Sequence, residues 1–464
     1  MTTSLGRGRW IDSWNPEDET FWQTTGRAVA RRNLVWSIFA EHLGFSVWLL
    51  WSVVAVSLPA AGFQFSVDQL FWLVAVPNLV GAVMRIPYTT AVARFGGRNW
   101  TAVSAALLLV PIGLMVFCVT DPGTPYWMFL LAAATAGLGG GNFASSMANI
   151  SFFYPERYKG TALGLNAAGG NLGVAVVQLL VPLVIGIGLV GAAQTPGVYL
   201  QNAPLLWLVP VIAAVGCAWL FMDNLTAAKA TIAEQLTALR NKHTWVMSFL
   251  YIGTFGSFIG YSAAFPLLIK SQFPGVPAAY LAFLGPLVGS VARPFGGWLS
   301  DRIGGARITM WNFALMALGV VGVLTALNLK SFPFFLLSFL ALFVTSGIGN
   351  GSTYRMIPAI FRAQALRVSG LSEDSAEGET KEKALLTGRR EAAAVIGLAA
   401  AIGAFGGFLI PRGFGMSIAA TGSISVALYV FLAGYGLMLA VTWWFYLRRS
   451  LLVSRAPSLA YASV

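Results

Sequence analysis

Long apolar stretches alternate with short polar ones along most of the chain. Twelve of the apolar stretches have roughly 20 residues or more, the length at which an α-helix crosses a hydrocarbon core of ~30 Å. They lie at about residues 34–59, 67–92, 99–119, 126–153, 160–188, 203–222, 244–269, 276–300, 306–328, 333–360, 391–411 and 424–447. The pattern predicts an all-α integral membrane protein with twelve transmembrane helices.

A polar segment at residues 223–243 divides the apolar stretches into two sets of six. We therefore predict an N-terminal six-helix half at 34–222, a central cytoplasmic loop at 223–243 and a C-terminal six-helix half at 244–447. A cytoplasmic arm (1–33) and a cytoplasmic tail (448–464) flank them.

Two polar regions carry further expectations. In the arm, Asn15 and Pro16 followed by three acidic residues are typical of a helix N-terminus, so we expect a surface helix that begins there. Residues 361–390 mix acidic and basic side chains, which predicts a solvated, mobile connection between the tenth and eleventh spans.

The net charge of +12, in a chain with only 10% charged residues, is explained by topology. If the N-terminus lies inside, 23 lysines and arginines fall in cytoplasmic segments, and only Lys270, Lys330 and Arg412 lie outside. This asymmetry follows the positive-inside rule and predicts cytoplasmic termini and a location in the inner (cytoplasmic) membrane. The excess charge is therefore no sign of a nucleic-acid partner.

One arginine-containing stretch occurs twice. Residues 81–97 read GAVMRIPYTTAVARFGG and residues 289–305 read GSVARPFGGWLSDRIGG, with Arg85 and Arg293 at equivalent places. In both copies a second arginine follows after nine residues, at the cytoplasmic end of the span. Nine residues of helix rise about 13 to 14 Å, so Arg85 and Arg293 are expected near the membrane midplane. The repetition predicts two pseudo-symmetric halves with a shared site at their interface.

A charge at the centre of a span is rare and usually functional, and a guanidinium cannot lose its proton. Glu41 is the only acid that the sequence places well inside a span. We therefore predict that Arg85 and Arg293 bind an anion, with a small, planar, singly charged oxyanion fitting the guanidinium fork best. Arg355, close to the cytoplasmic end of its span, is better explained by snorkelling or by pairing with a loop residue.

Aromatic residues and glycines near these arginines have two explanations each. Phe143, Tyr251 and Phe255 could flank an anion, or they could be ordinary packing residues. Glycines recur at matched places in both halves, which favours either close helix packing or moving interfaces. The candidate conformational glycines are Gly164, Gly169, Gly170, Gly173, Gly403, Gly406 and Gly407.

Three motifs resemble those of a known family. The sequence Asp301-Arg302-x-Gly304-Gly305-x-Arg307 resembles the loop signature of the major facilitator superfamily. Residues 139–173 and 392–415 resemble the two nitrate signatures of the nitrate/nitrite porter (NarK-like) family, and the similarity covers nearly the whole chain. The resemblance implies the major facilitator fold and a carrier, not an enzyme, that moves nitrate and nitrite by alternating access.

The resemblance also implies roles for individual residues. Arg85 and Arg293 would clasp the anion and Tyr251 would hydrogen-bond to it. Phe143 and Phe255 would stack on its faces, and Asn171 would line the pocket.

Glu41 and His42, in the first span, are candidates for proton coupling because ionisable residues within spans often carry protons. A structural ion pair or an interfacial polar patch is the other explanation. The segment resembles the subgroup regarded as proton/nitrate symporters, which favours nitrate uptake for assimilation over nitrate/nitrite antiport. A membrane sensor or the membrane subunit of an enzyme is the alternative from another class.

The remaining expectations concern ligands and partners. Cys118 and Cys217 lie in apolar segments without metal-ligand spacing, so neither a disulfide nor a metal site is expected. We expect no cofactor and no catalytic residue. The expected partners are nitrate, nitrite, protons and the lipid bilayer, and the expected state is a monomer.

Overall fold

The computed structural model describes residues 9–226, 239–277, 280–371 and 378–448. These residues form twelve long helices and one small sheet of two strands, β1 (Trp10–Ile11) and β2 (Asn224–Leu225). The helices are α1 (Glu19–Ser57), α2 (Val67–Phe95), α3 (Gly97–Thr120), α4 (Tyr126–Phe153), α5 (Glu156–Val184), α6 (Asn202–Phe221), α7 (Lys242–Gln272), α8 (Leu284–Ile303), α9 (Gly305–Asn328), α10 (Phe332–Val368), α11 (Glu379–Thr421) and α12 (Ser425–Leu447).

The predicted set of twelve helices is confirmed. In the part of the chain that is described, ten of them are long and apolar enough to cross a membrane. The other two, α4 and α8, contain the glycine- and serine-rich stretch around Phe143 and the arginine stretch around Arg293. Their lower apolarity therefore comes from the segments that hold candidate site residues.

Several helices are interrupted along their length. Regular α-helical bonding is broken at Leu49 in α1, Leu108 in α3 and Phe405 in α11. In α7, residues Ile252–Gly256 form a π-helical turn. Such turns occur frequently at functional sites, and this one contains Phe255.

Two sequence expectations about polar regions were wrong in detail. The arm helix begins at Glu19 rather than at the Asn15-Pro16 pair, because the side chain of Asp18 caps it by accepting a hydrogen bond from Phe21 N at 3.1 Å. Of residues 361–390, the structure describes 361–371 and 378–390, and most of these are helical, since α10 continues to Val368 and α11 begins at Glu379; residues 372–377 lie outside the described part. Helices outside the membrane tolerate charge, so the apolar pattern could not reveal these extensions.

The described residues pack as two compact units. The first unit comprises Met1–Ala230, Gly260–Leu287 and Gly407–Ser423, and the second comprises Thr231–Ile259, Val288–Gly406 and Ile424–Val464. Helices α7, α8 and α11 therefore contribute to both. The domain boundaries read from the sequence, with halves at 34–222 and 244–447, stay a prediction.

A buried carboxylate anchors the N-terminal arm within the first unit. Asp223, just before β2, accepts hydrogen bonds from Arg9 Nε at 2.9 Å, Arg32 Nη2 at 2.6 Å and Asn33 Nδ2 at 2.9 Å. Strand β1 pairs in parallel with β2, with Trp10 opposite Asn224. The arm is thus joined to the segment that follows α6.

An ion pair in the first unit joins the start of α2 to α11. Arg412 Nη1 lies 2.8 Å from Asp68 Oδ1, and the Arg412 guanidinium carbon lies 4.1 Å from the ring centre of Trp72. The two side chains are 12% and 36% exposed, respectively. In the second unit, Arg355 pairs with Asp301 while both side chains are about half exposed, as the sequence indicated.

We expect the Asp68–Arg412 pair to show a coupling energy of about 1 kcal/mol in a double-mutant cycle, because Arg412 is largely removed from water. The variants Asp68→Asn, Arg412→Gln and their combination would be compared by thermal unfolding of the purified protein. The more exposed Asp301–Arg355 pair is the matched control, and its coupling should be near zero. Equal coupling in the two cycles would contradict the prediction.

Candidate functional site

Arg85 lies in the interior of α2, in the first unit, and is fully buried, with 0% of its surface exposed. Its Nε donates a hydrogen bond to the carbonyl oxygen of Gly140 at 3.2 Å. The guanidinium carbon lies 4.7 Å from the ring centre of Phe143 and 5.5 Å from that of Trp48. Helix α4 comes this close to α2 because Gly140 has no side chain: a Cβ there would lie 2.8 Å from Gly81 Cα.

Arg293 lies in α8, in the second unit, and is 5% exposed. Its guanidinium carbon lies 5.7 Å from the ring centre of Tyr354, on α10. The Tyr354 ring lies 6.4 Å from that of Tyr251, which stacks on Phe255 with ring centres 5.3 Å apart and planes 12° apart. Tyr251 directly precedes the π turn that contains Phe255, so that turn sets their alignment.

The two units thus share one arrangement. In each, a buried arginine on one helix faces an aromatic ring on the helix two places further along the chain. Cationic guanidinium groups are attracted to the faces of aromatic rings. The structure brings Arg85 together with Phe143, and Tyr354 together with both Arg293 and Tyr251.

Sequence reasoning missed Trp48 and Tyr354. A signal for Tyr354 was present, because it follows Phe143 by 211 residues while Arg293 follows Arg85 by 208. No comparable signal pointed to Trp48, whose Nε1 donates to the carbonyl oxygen of Pro77 at 2.9 Å and so fixes the ring beside Arg85.

Asn171 lies in α5 of the first unit and is 1% exposed. Among the described residues, neither its amide nitrogen nor its amide oxygen has a hydrogen-bond partner. Buried polar groups normally have one.

Glu41 and His42 make different contacts in the first unit. Glu41 is 1% exposed, and its Oε2 accepts hydrogen bonds from Ser146 on α4 and from Asn166 Nδ2 on α5 at 2.5 Å. His42 is only partly buried, and its Nδ1 donates to the carbonyl oxygen of Gly169 at 3.0 Å. Glu41 therefore interacts with side chains of two neighbouring helices, and His42 with the backbone of one.

Most of the candidate glycines lie where helices approach closely. A Cβ on Gly170 would lie 2.5 Å from Glu41 Oε1, and a Cβ on Gly403 would lie 2.5 Å from Tyr251 Cδ1. Gly169, Gly173 and Gly406 are similarly confined, while Gly407 is buried. Gly164 differs, because a Cβ there would meet no atom of another described segment within 4 Å. A role of these glycines in movement stays a prediction.

The fold and the sequence profile define the class of protein. The profile of the Major Facilitator Superfamily matches residues 43–372. The structure resembles a D-xylose–proton symporter with a TM-score of 0.65 at 14% identity, covering 89% of this chain and 97% of that one. It also resembles an inward-facing bacterial homologue of the lysosomal transporter Spinster, with a TM-score of 0.60 at 15% identity and coverage of 90% and 94%. At these identities the likeness shows the fold alone.

Sequence relatives narrow the class. The nitrate/nitrite transporter NarU of Salmonella typhimurium is 44% identical over 453 residues, covering 95% of this chain and 96% of the relative. The probable nitrate/nitrite antiporter NarK2 of Thermus thermophilus is 39% identical, covering 96% and 98%. The chain belongs to the nitrate/nitrite porter (NarK-like) family of the major facilitator superfamily. It is a multi-pass membrane transporter and not an enzyme.

Proposed function

We propose that the protein carries nitrate and nitrite across the cytoplasmic membrane by alternating access, with nitrate uptake coupled to protons. The observation that carries this proposal is the pair of buried arginines, each beside an aromatic ring of its own unit. The names of the relatives support the choice of anion.

The chemistry of these arginine environments favours a planar, singly charged anion. A guanidinium donates in a rigid fork that matches the geometry of planar oxyanions. In Arg85, the bond from Nε to Gly140 fixes the orientation of that fork. Nitrate and nitrite carry one charge each, so they cost less to remove from water than sulfate or phosphate. Aromatic faces next to the arginines add flat surfaces on which a planar anion can stack.

Other residues complete the proposed binding site. Tyr251 donates a hydrogen bond from its hydroxyl group to the anion, and Phe143 and Phe255 stack on its faces. Asn171 supplies a buried amide, and its lack of a hydrogen-bond partner among the described residues supports this role. The protein acts as a monomer in the lipid bilayer of the inner membrane, and both termini are cytoplasmic.

Proton coupling is assigned to the Glu41–His42 pair. The burial of Glu41 supports this role, because an ionisable group held away from water changes its interactions strongly when it gains or loses a proton. The helix contacts of Glu41 offer a route from protonation to movement.

Nitrate/nitrite antiport without protons is the second candidate. One relative, from Thermus thermophilus, is named a probable nitrate/nitrite antiporter and is 39% identical to this chain.

Transport into proteoliposomes separates the two functions. Nitrate entry driven by an imposed inward proton gradient, with no anion inside, is the expected result for symport. Strict dependence on internal nitrite would instead establish antiport. Absence of nitrate and nitrite transport in both assays would contradict the proposal as a whole.

A further inference from the structure

We propose that Ser146 and Asn166 are positioning residues that hold Glu41 and transmit its protonation state to Phe143 on α4. This inference rests on the proposed proton coupling and deepens it. It assigns the gain and loss of the proton to Glu41 rather than to His42. It also connects Glu41 to Arg85, the proposed anion-binding arginine of the same unit.

Three side chains from three helices meet in this polar cluster. Ser146 donates to Glu41 Oε2. The two amide hydrogens of Asn166 allow Nδ2 to donate to both Glu41 Oε2, at 2.5 Å, and Ser146 Oγ, at 2.9 Å. All three residues are buried, and they join α1, α4 and α5 within the first unit. A buried network of this kind responds strongly to the loss or gain of one charge.

Ser146 has two acceptors within reach and only one hydrogen to donate. Its Oγ lies 3.1 Å from the carbonyl oxygen of Phe143, one turn earlier in α4. A hydrogen bond to an ionised carboxylate is roughly twice as strong as a neutral one. Ionised Glu41 therefore holds the Ser146 hydroxyl, whereas protonated Glu41 releases it to the Phe143 carbonyl.

Phe143 connects this change to the candidate anion site. The Phe143 ring lies 4.7 Å from the Arg85 guanidinium carbon, and its carbonyl oxygen is the second acceptor of Ser146. Gain of a proton by Glu41 thus alters hydrogen bonding at the residue whose ring contacts Arg85. The geometry couples proton and anion without direct contact between Glu41 and the anion.

The surrounding helices carry other ionisable groups. On α1 they include His42, which donates to a carbonyl oxygen of α5, and Arg27, Arg31 and Arg32, which lie nearer the start of the helix. On α2, the buried ring of Tyr88 packs against Gly141 of α4. Ionisable residues of α5 occur only in its first four positions, 156–159, and α4 has only Tyr126, near its other end. Arg85 on α2 faces Phe143, Arg98 on α3 stacks on Trp219, and α6 contributes Cys217.

The test is the pH profile of nitrate uptake by proteoliposomes containing the full chain. Ser146→Ala removes one donor to the Glu41 carboxylate, which destabilises its charged form. We expect the midpoint of the profile to move about one unit to higher pH. Asn166→Ala removes the other donor and should shift the midpoint in the same direction, so it carries the test if Ser146→Ala does not fold.

Two further serine variants separate positioning from packing. Ser146→Thr keeps the hydroxyl group and should restore the wild-type midpoint. Ser145→Ala is the matched control, because Ser145 is a buried neighbour on α4 whose hydroxyl group, among the described residues, donates within its own helix, to Asn142 O at 3.1 Å. The pH profile of nitrate uptake by Ser145→Ala should have the same midpoint as that of the wild-type protein.

The possible results are distinguishable. A wild-type profile in Ser146→Ala, or an equal shift in Ser145→Ala, overturns the inference while the proposed transport stands. Wild-type uptake that does not respond to pH overturns both the inference and proton coupling, but leaves anion transport in place.

Discussion

Replacement of Arg85 by lysine is expected to weaken nitrate binding about 30-fold, with the same result for Arg293→Lys. Lysine keeps the positive charge but replaces a planar fork by a single ammonium group, so one charge-assisted hydrogen bond to the anion is lost. Such a bond contributes about 2 kcal/mol, which corresponds to the stated factor. Nitrate binding to the purified protein, measured by calorimetry, gives the dissociation constants directly.

Each variant has a control on its own helix. Arg94 and Arg302 lie at the ends of α2 and α8, are exposed, and have their guanidinium carbons 5.5 Å and 4.1 Å from neighbouring aromatic rings. Their replacement by lysine should leave the nitrate affinity unchanged. If both Arg85→Lys and Arg293→Lys kept the wild-type affinity, the proposed bidentate contact would be wrong.

Replacement of Glu41 by glutamine is expected to abolish nitrate accumulation driven by a proton gradient. For one proton per nitrate, a gradient of one pH unit supports about a tenfold nitrate gradient, since one unit corresponds to ~1.4 kcal/mol. Glutamine can keep the hydrogen bonds from Ser146 and Asn166 but cannot carry a proton, so accumulation should fall to the level without a gradient. Nitrate exchange at equal pH should continue. Radiolabelled or electrode-detected nitrate in proteoliposomes measures both quantities.

His42→Gln is the comparison for this variant, because His42 is adjacent to Glu41 but, within the described part of the chain, donates to the Gly169 backbone. We expect it to retain proton-driven accumulation. The opposite result, with accumulation lost in His42→Gln and kept in Glu41→Gln, would assign proton coupling to His42 instead of Glu41.

Much of the candidate site could be predicted from the sequence because depth in a helix is a matter of counting. The fixed rise per residue placed Arg85 and Arg293 at matched positions of their spans, and both are buried in the structure. Phe143, Tyr251 and Phe255 were candidates because they lie on nearby spans, and the family resemblance then implied a role for each. Counting residues does not give the rotation of each helix about its axis. This rotation decides which side chains of different helices meet.

The missed residues show where this limit lies. Trp48 reaches Arg85 because Gly81 and Gly140 allow α2 and α4 to lie in close contact. Whether a side chain would fit at either glycine depends on the helix packed against it, which the sequence of one helix does not show. Tyr354 faces Arg293 because α10 packs on α8, where a Cβ on Gly351 would lie 2.3 Å from the Arg293 carbonyl oxygen.

The sequence by itself determined the membrane class, the twelve helices, the repeated arginine stretch and the family, because each depends on composition, periodicity or motif along one chain. Only the tertiary structure decided that Glu41 interacts with Ser146 and Asn166, and that Phe143 links this cluster to Arg85. The contacts of Glu41 with Ser146 and Asn166, and of Phe143 with Arg85, join residues more than 50 positions apart on four different helices, and they exist only because packed helices bring those residues within hydrogen-bonding or ring-contact distance.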